Sequence, residues 1–136
     1  ERMKLYLDVD GVVLDKHMKP SQCLHKFIEY VTEHYDCYWL TTHVTDGETE
    51  HLWKHLRLNN VPEETLQLME KIQGTKWDMI KTEGIDFGGP FLWFEDMPTT
   101  GETEALKKNE VEDSLVWVDR EKGDGLCKWL KEQRDN

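Results

Sequence analysis

The sequence predicts an α/β protein, a mostly parallel, doubly wound sheet of five strands with helices on both faces. Three observations carry that reading. Short apolar runs rich in β-branched and aromatic residues alternate with stretches of helical periodicity, which implies right-handed crossovers between parallel strands. Acidic or hydroxyl residues close several of these runs, at Asp8, Thr41 and Glu95-Asp96, the predicted carboxyl ends where such sheets bind ligands. A length of 136 residues supports one sheet with its helices and is too short for two cores, so residues 1–136 are expected to form a single domain.

The first strand covers residues 3–9, and Val12-Val13-Leu14 runs on into a turn or flap near Asp15-Lys16. Pro20-Ser21 starts a helix with Ser21 as its cap, and Leu24, Phe27, Ile28 and Val31 recur at i, i+3, i+4 and i+7, the stripe of a helix lying on a sheet. Cys37-Tyr38-Trp39-Leu40 is the second buried strand and ends at Thr41-Thr42-His43. Thr45-Asp46-Gly47-Glu48 reads as a capping box for a helix carrying Leu52, Trp53 and Leu56, which stops around Asn59-Asn60-Val61-Pro62. Thr65–Met69 is the expected third strand, with a helix after Pro62-Glu63-Glu64 as the alternative. Thr75 is expected to cap a helix that contains Lys76, Trp77 and Ile80 and ends at Gly84. Phe91-Leu92-Trp93-Phe94 is the fourth strand, stopped by Pro98. A short helix at 102–108, a fifth strand at Leu115–Val118 and a terminal helix with Leu126, Trp129 and Leu130 inward complete the chain. Trp39, Trp93 and Trp117 are expected in the core.

Composition narrows the function. Hydrophobic content of 38% with 33% charged residues is that of a globular domain, with no apolar run long enough to span a membrane and no targeting segment. The 17 basic and 28 acidic residues give a net charge of −11, a field that repels polyanions and argues against tight nonspecific nucleic-acid binding. Cys23, Cys37 and Cys127 show no metal-type spacing and fit reduced, mostly buried thiols in a cytoplasmic protein. His and Cys ligand clusters are absent from the sequence pattern, which speaks against zinc.

The chain is organised around Leu5–Val13, an apolar run interrupted by Asp8, Asp10 and Gly11. In an extended chain residues i and i+2 lie on one side, so the two carboxylates are expected to converge, and they repel unless a cation or a shared proton intervenes. Gly11 lets the backbone turn sharply and approach a ligand closely.

Asp8-Val9-Asp10-Gly11-Val12 after a hydrophobic strand resembles the first motif of the haloacid dehalogenase (HAD) superfamily of aspartate-nucleophile phosphatases and phosphotransferases, and the other three motifs have candidates in chain order. Thr41, after Tyr38-Trp39-Leu40, resembles the second, with Thr42 as the alternative. Lys76, at the start of the helix before the fourth strand, resembles the third, with Lys81 as the alternative. Glu95-Asp96 resembles the fourth, in the Glu-Asp form found in members similar to β-phosphoglucomutases. The resemblance implies a Rossmann-like, HAD-like fold and a magnesium-dependent phosphohydrolase. Asp8 would be the nucleophile that forms an aspartyl-phosphate, and Asp10 the acid and base, partly protonated near its operating pH. Asp8, the Asp10 backbone carbonyl and Asp96 would hold Mg2+, with Glu95 bound directly or through water, while Thr41 and Lys76 hold the phosphate.

The stretch Trp39–Thr42, the helix ending in Leu56–Pro62, then Lys76-Trp77, the acidic pair and Gly125-Leu126 resemble the small HAD domain of Swiss Army Knife RNA-repair proteins. His43 stands where that group tends to have an aromatic residue and reads as a surface histidine near a helix, with contact to substrate beside Thr41 as the alternative. Intervals between the motifs are too short for a sizeable cap, which implies an open site and a phosphorylated substrate of undefined class, a macromolecule or nucleic-acid end included. Two alternatives stand beside the phosphatase: a binding or regulatory module that keeps the fold without turnover, and a phosphoacceptor receiver domain. The receiver needs an acceptor aspartate after the third strand, and Thr65–Met69 offers none.

Overall fold

The structure, a computed structural model, describes residues 2–135. Four strands, β1 (Lys4–Leu7), β2 (Asp36–Trp39), β3 (Phe91–Glu95) and β4 (Leu115–Trp117), form one all-parallel sheet in the order β2-β1-β3-β4. Leu7 is in register with both Trp39 and Phe94, so β1, β2 and β3 end within one residue of one another and present their carboxyl ends on one rim. The helices are α1 (Leu24–His34), α2 (Glu50–Leu58), α3 (Glu63–Met69), α4 (Thr100–Lys108) and α5 (Gly125–Asp135). Central strand β1 is buried on both faces: Leu5 and Leu7 pack with Phe27, Ile28, Val31 and Trp129, while Tyr6 packs with Leu40, Trp93 and Leu106. Such two-sided burial is why its sequence is a continuous apolar run rather than an alternating one.

Among the described residues four strands are present where five were expected, because Thr65–Met69 lies within α3. Pro62 supplies an extended N-cap conformation, Glu63 and Glu64 occupy the first turn, and Thr65, Leu66 and Met69 share its buried face. The place of a fifth strand beside β2 is taken by Gln73 alone, whose carbonyl accepts from Trp39 N at 2.7 Å and whose amide donates to Cys37 O at 3.0 Å.

The helix expected after Thr75 does not form either. The Thr75 hydroxyl donates to Trp39 O at 2.7 Å, and the Trp77 indole donates to Thr41 O and Val44 O at 3.2 and 3.1 Å. Those bonds hold the segment extended against the loop after β2 until a 3-10 turn at Lys81–Gly84. Helix starts differ in the same way. Ser21 spends its hydroxyl on Val12 O at 2.6 Å, so α1 begins at Leu24 after Cys23, and α2 begins at Glu50 without a side-chain cap. A reciprocal capping box instead opens α4, between Thr99 and Glu102.

Cys23 and Cys127 form a disulfide that ties the start of α1 to α5. The reduced-thiol expectation therefore holds for Cys37 alone, which is buried with its thiol pushed up to about 12 by desolvation. Disulfides persist in oxidising surroundings, so the cysteines give no argument for the cytoplasm. Trp117, expected in the core, is 61% exposed on edge strand β4. Among the described residues no helix is long and apolar enough to cross a membrane.

Candidate functional site

The rim formed by the carboxyl ends of β1 and β3 gathers three acids and one lysine. Asp8 follows β1, and its amide donates to Phe94 O at 3.1 Å, which fixes it beside the end of β3. Lys81 Nζ lies 3.1 Å from Asp8 Oδ1 and 2.7 Å from Glu95 Oε1, with all three side chains largely removed from solvent. Glu95 uses its other oxygen for the backbone amides of Asp96 and Met97, at 3.1 and 3.2 Å. Asp96 completes the group, with Arg120 Nη1 at 3.6 Å from its Oδ2. Gly11 has φ +90°, and a Cβ there would collide with the Asp96 carboxylate, so the Asp10-Gly11 backbone packs directly on that acid.

Electrostatics of this group are unbalanced. Burial, then the charge of Glu95, push the Asp8 carboxyl up to about 9, against the pull of Lys81. Burial also raises Asp96, with Glu95 adding to it. In Glu95 burial is outweighed by hydrogen bonds and the Lys81 charge, which hold it below the usual carboxylate range. Three carboxyls thus face the Lys81 ammonium and, at longer range, the Arg120 guanidinium, a group that could hold a cation. The donor atoms suit magnesium: oxygens of Asp8, Glu95 and Asp96 lie within 4.8 Å of one another, with no soft ligand among them. Because Glu95 already serves Lys81 and two amides, Asp8 and Asp96 are the acids left to hold an ion, with the Asp10 carbonyl as the remaining expected ligand.

Asp10 departs from the expectation of convergence with Asp8. Strand β1 ends at Leu7, and a tight turn follows in which Val12 N and Leu14 N both bond to Val9 O, so the i, i+2 rule of an extended chain does not reach Asp8 and Asp10. Asp10 turns to two histidines instead. His43 Nε2 donates to Asp10 Oδ2 at 3.0 Å and His55 Nε2 to Oδ1 at 2.9 Å, the rings stacking at 4.0 Å between centroids. These bonds, that from His43 foremost, hold the Asp10 carboxyl down to about 2. This environment favours an ionised Asp10 carboxylate over the partly protonated one the resemblance implies.

No family model, curated protein or solved structure matches the chain.

The other expected site residues separate. Thr41 follows β2 on the same rim, fully buried, with its hydroxyl oxygen accepting from His43 N at 3.2 Å, while Thr42 is exposed on the neighbouring cleft. Lys76 is exposed beside Asp46 and lies outside the carboxylate group, which is joined by the alternative, Lys81. The displacement follows from the missing helix, since without it Lys76 is held in the extended segment and the chain first turns inward at Lys81. His43, read as a surface histidine, is a partner of Asp10. His55, Arg120 and Glu102 were not singled out in the sequence. His55 had one signal, its position three residues after the buried Leu52 and one before the buried Leu56 on α2. Glu102 had another, as N3 of a Thr-x-x-Glu box, and its Oε2 accepts from Lys81 N at 2.8 Å. Arg120 had none, as an isolated arginine in a loop.

Proposed function

We propose that the chain is a magnesium-dependent phosphohydrolase that works through an aspartyl-phosphate on Asp8. The observation that carries this reading is the buried Asp8 carboxylate at the end of a central parallel strand, paired with Lys81 and flanked by Asp96. Lys81 fits the task of holding substrate phosphate against the acids, in preference to Lys76, and Glu95 fixes its ammonium in position. Asp8 attacks phosphorus, an Asp8 O–P bond forms, and the bond to the leaving oxygen breaks. That oxygen takes a proton from the hydrogen-bonded Asp10, His43 and His55 group, which later receives one from the water that cleaves the acyl-phosphate. Asp8, Asp96 and the Asp10 carbonyl would hold Mg2+, which supplies charge neutralisation at the phosphoryl group. Thr41 supplies a hydroxyl at the rim for phosphate.

A cleft of about 660 Å3 opens beside His43 and His55, lined in part by Asp46, Glu48 and Glu50 against Lys54. This acidic wall, with the overall −11, disfavours a nucleic-acid end relative to a less charged phosphomonoester. Phosphate release from p-nitrophenyl phosphate and a panel of phosphosugars and nucleotides, with and without Mg2+, tests the reading. Magnesium-dependent turnover that Asp8→Asn abolishes is expected; comparable activity in Asp8→Asn removes Asp8 as nucleophile, and no turnover on any ester favours the binding module.

A further inference from the structure

Asp10, His43 and His55 form a second group of metal-ligand type, separate from Asp8, Glu95 and Asp96. One ligand atom of each lies within 4.8 Å of the others. The three come from three places, the turn after β1, the loop after β2 and the middle of α2, and the fold brings them together at one rim. Both Nε2 atoms point at one carboxylate, at 2.9 and 3.0 Å, with the rings stacked 24° from parallel. Satisfying Asp10 does not demand this arrangement, because its side chain is 44% exposed and water can serve it. Two imidazole nitrogens and one carboxylate, with coordination positions left toward solvent, are instead a donor set for a borderline-soft cation.

We propose that Asp10, His43 and His55 bind a divalent first-row transition ion through both imidazole Nε2 atoms and the Asp10 carboxylate. The pattern was invisible in the sequence as a cluster because the three residues are dispersed, which corrects the expectation that histidine ligand sets are absent. Approach favours a cation: Asp46, Glu48 and Glu50 line the cleft onto which His43 and His55 open. For either histidine to ligate, its Nε2 proton must move to Nδ1. The Asn59 side-chain amide stands 3.5 Å from His55 Nδ1, too long to lock that nitrogen as an acceptor, while the amide's bond at 2.8 Å goes to His55 O. Ion binding and proton donation exclude each other at Nε2, so on the phosphohydrolase reading proposed above the ion is an inhibitor.

The test is binding of metal alone to the full chain. Titration with Co2+, followed by visible absorption, and with Zn2+, followed by calorimetry in millimolar Mg2+, is expected to give one ion per chain that magnesium does not displace. His43→Gln and His55→Gln should each weaken Zn2+ by more than the ~10–100-fold typical of losing an outer-shell partner. His51→Gln, which changes a cleft histidine outside the group, and Asp96→Asn, which changes the oxygen site, should leave the affinity within about threefold, a shift of under ~0.7 kcal/mol. Circular dichroism of the metal-free variants checks that each is folded. Affinity unchanged in both folded histidine variants, affinity lost in Asp96→Asn, or no uptake at stoichiometric Co2+ overturns the proposal. Phosphatase activity enters none of these readouts, so failure here and failure of the phosphohydrolase reading are distinguishable.

Discussion

Asp8 and Asp10 stand two residues apart and have opposite electrostatic situations. Asp10 is held down to about 2 by its histidines, so its contribution to stability is fully present above the unfolded carboxyl value near 4 and is lost as pH falls through about 2. Asp8, pushed up to about 9 by burial and Glu95, works in the other sense: the native state binds its proton more tightly, and stability falls as pH rises from about 4 toward about 9. Neutralising Asp8 should therefore stabilise the metal-free protein even as it removes the nucleophile. Asp8→Asn is expected to raise stability by on the order of 1 kcal/mol at pH 8 without divalent ions, read as a rise of a few degrees in Tm. The same variant should lose the upward shift that Mg2+ gives the wild type by binding the native state. An equal magnesium shift in both proteins would place the ion elsewhere. Asp8, Asp96 and Thr41 were legible in sequence because each directly follows an apolar strand. Lys81 was legible only as an alternative, and His55 and Arg120 hardly or not at all, because their places depend on how distant segments fold against the rim.

At the scale of elements, the segment between Gly74 and Gly84 decides which lysine reaches the acids. Local propensity favours a helix there, but the Trp77 indole and Thr75 hydroxyl find tertiary acceptors on the loop after β2, and a bonded extended segment prevails. Pro62 acted the opposite way, starting α3 where β propensity suggested a strand. Three of the four strands were read to within a residue of their bounds, since continuous apolar runs closed by polar residues have few other solutions in a chain of this length, whereas the first was read through Asp8 and Val9 and stops at Leu7. Two substitutions separate the lysines: Lys81→Ala should reduce turnover by roughly 10²–10³-fold, the scale of losing a transition-state charge donor, while Lys76→Ala stays near wild type. Reversal of that order in steady-state kinetics would restore the sequence-based assignment. Glu102 links two elements, bonding Thr99 N at the cap of α4 and Lys81 N at the 3-10 turn. Glu102→Ala removes both acceptors and should cost about 2–3 kcal/mol in denaturant unfolding, the sum of a lost cap bond and an unsatisfied amide. It should also lower turnover by loosening Lys81.

For the molecule as a whole, the Cys23–Cys127 disulfide is the largest constraint on the unfolded chain. It spans 104 residues, and a loop of about that size corresponds to roughly 4–5 kcal/mol in the chain-entropy model. Reduction by dithiothreitol, or Cys127→Ser, is expected to lower Tm by roughly 10–20 °C, measured by calorimetry, and a change under a few degrees would mean the bond contributes little to stability. The net charge of −11 acts in the same balance through self-repulsion. Binding of random-sequence duplex at physiological salt should accordingly be weak in a filter or anisotropy assay.

The same covalent link has a topological meaning. Residues 23–127 form a closed ring that contains β2, β3 and β4 together with Thr41, Lys81, Glu95 and Asp96, whereas β1 and Asp8 lie on the arm that leads into it. The strand at the middle of the sheet is thus an insert, seated between β2 and β3 of a ring that stays shut without it. Cleaved before Cys23, the protein becomes a split system: a synthetic peptide of residues 2–22 should dock into the slot of the oxidised remainder and restore what Asp8 supplies. A reduced remainder, its ring open, should accept that peptide far less well.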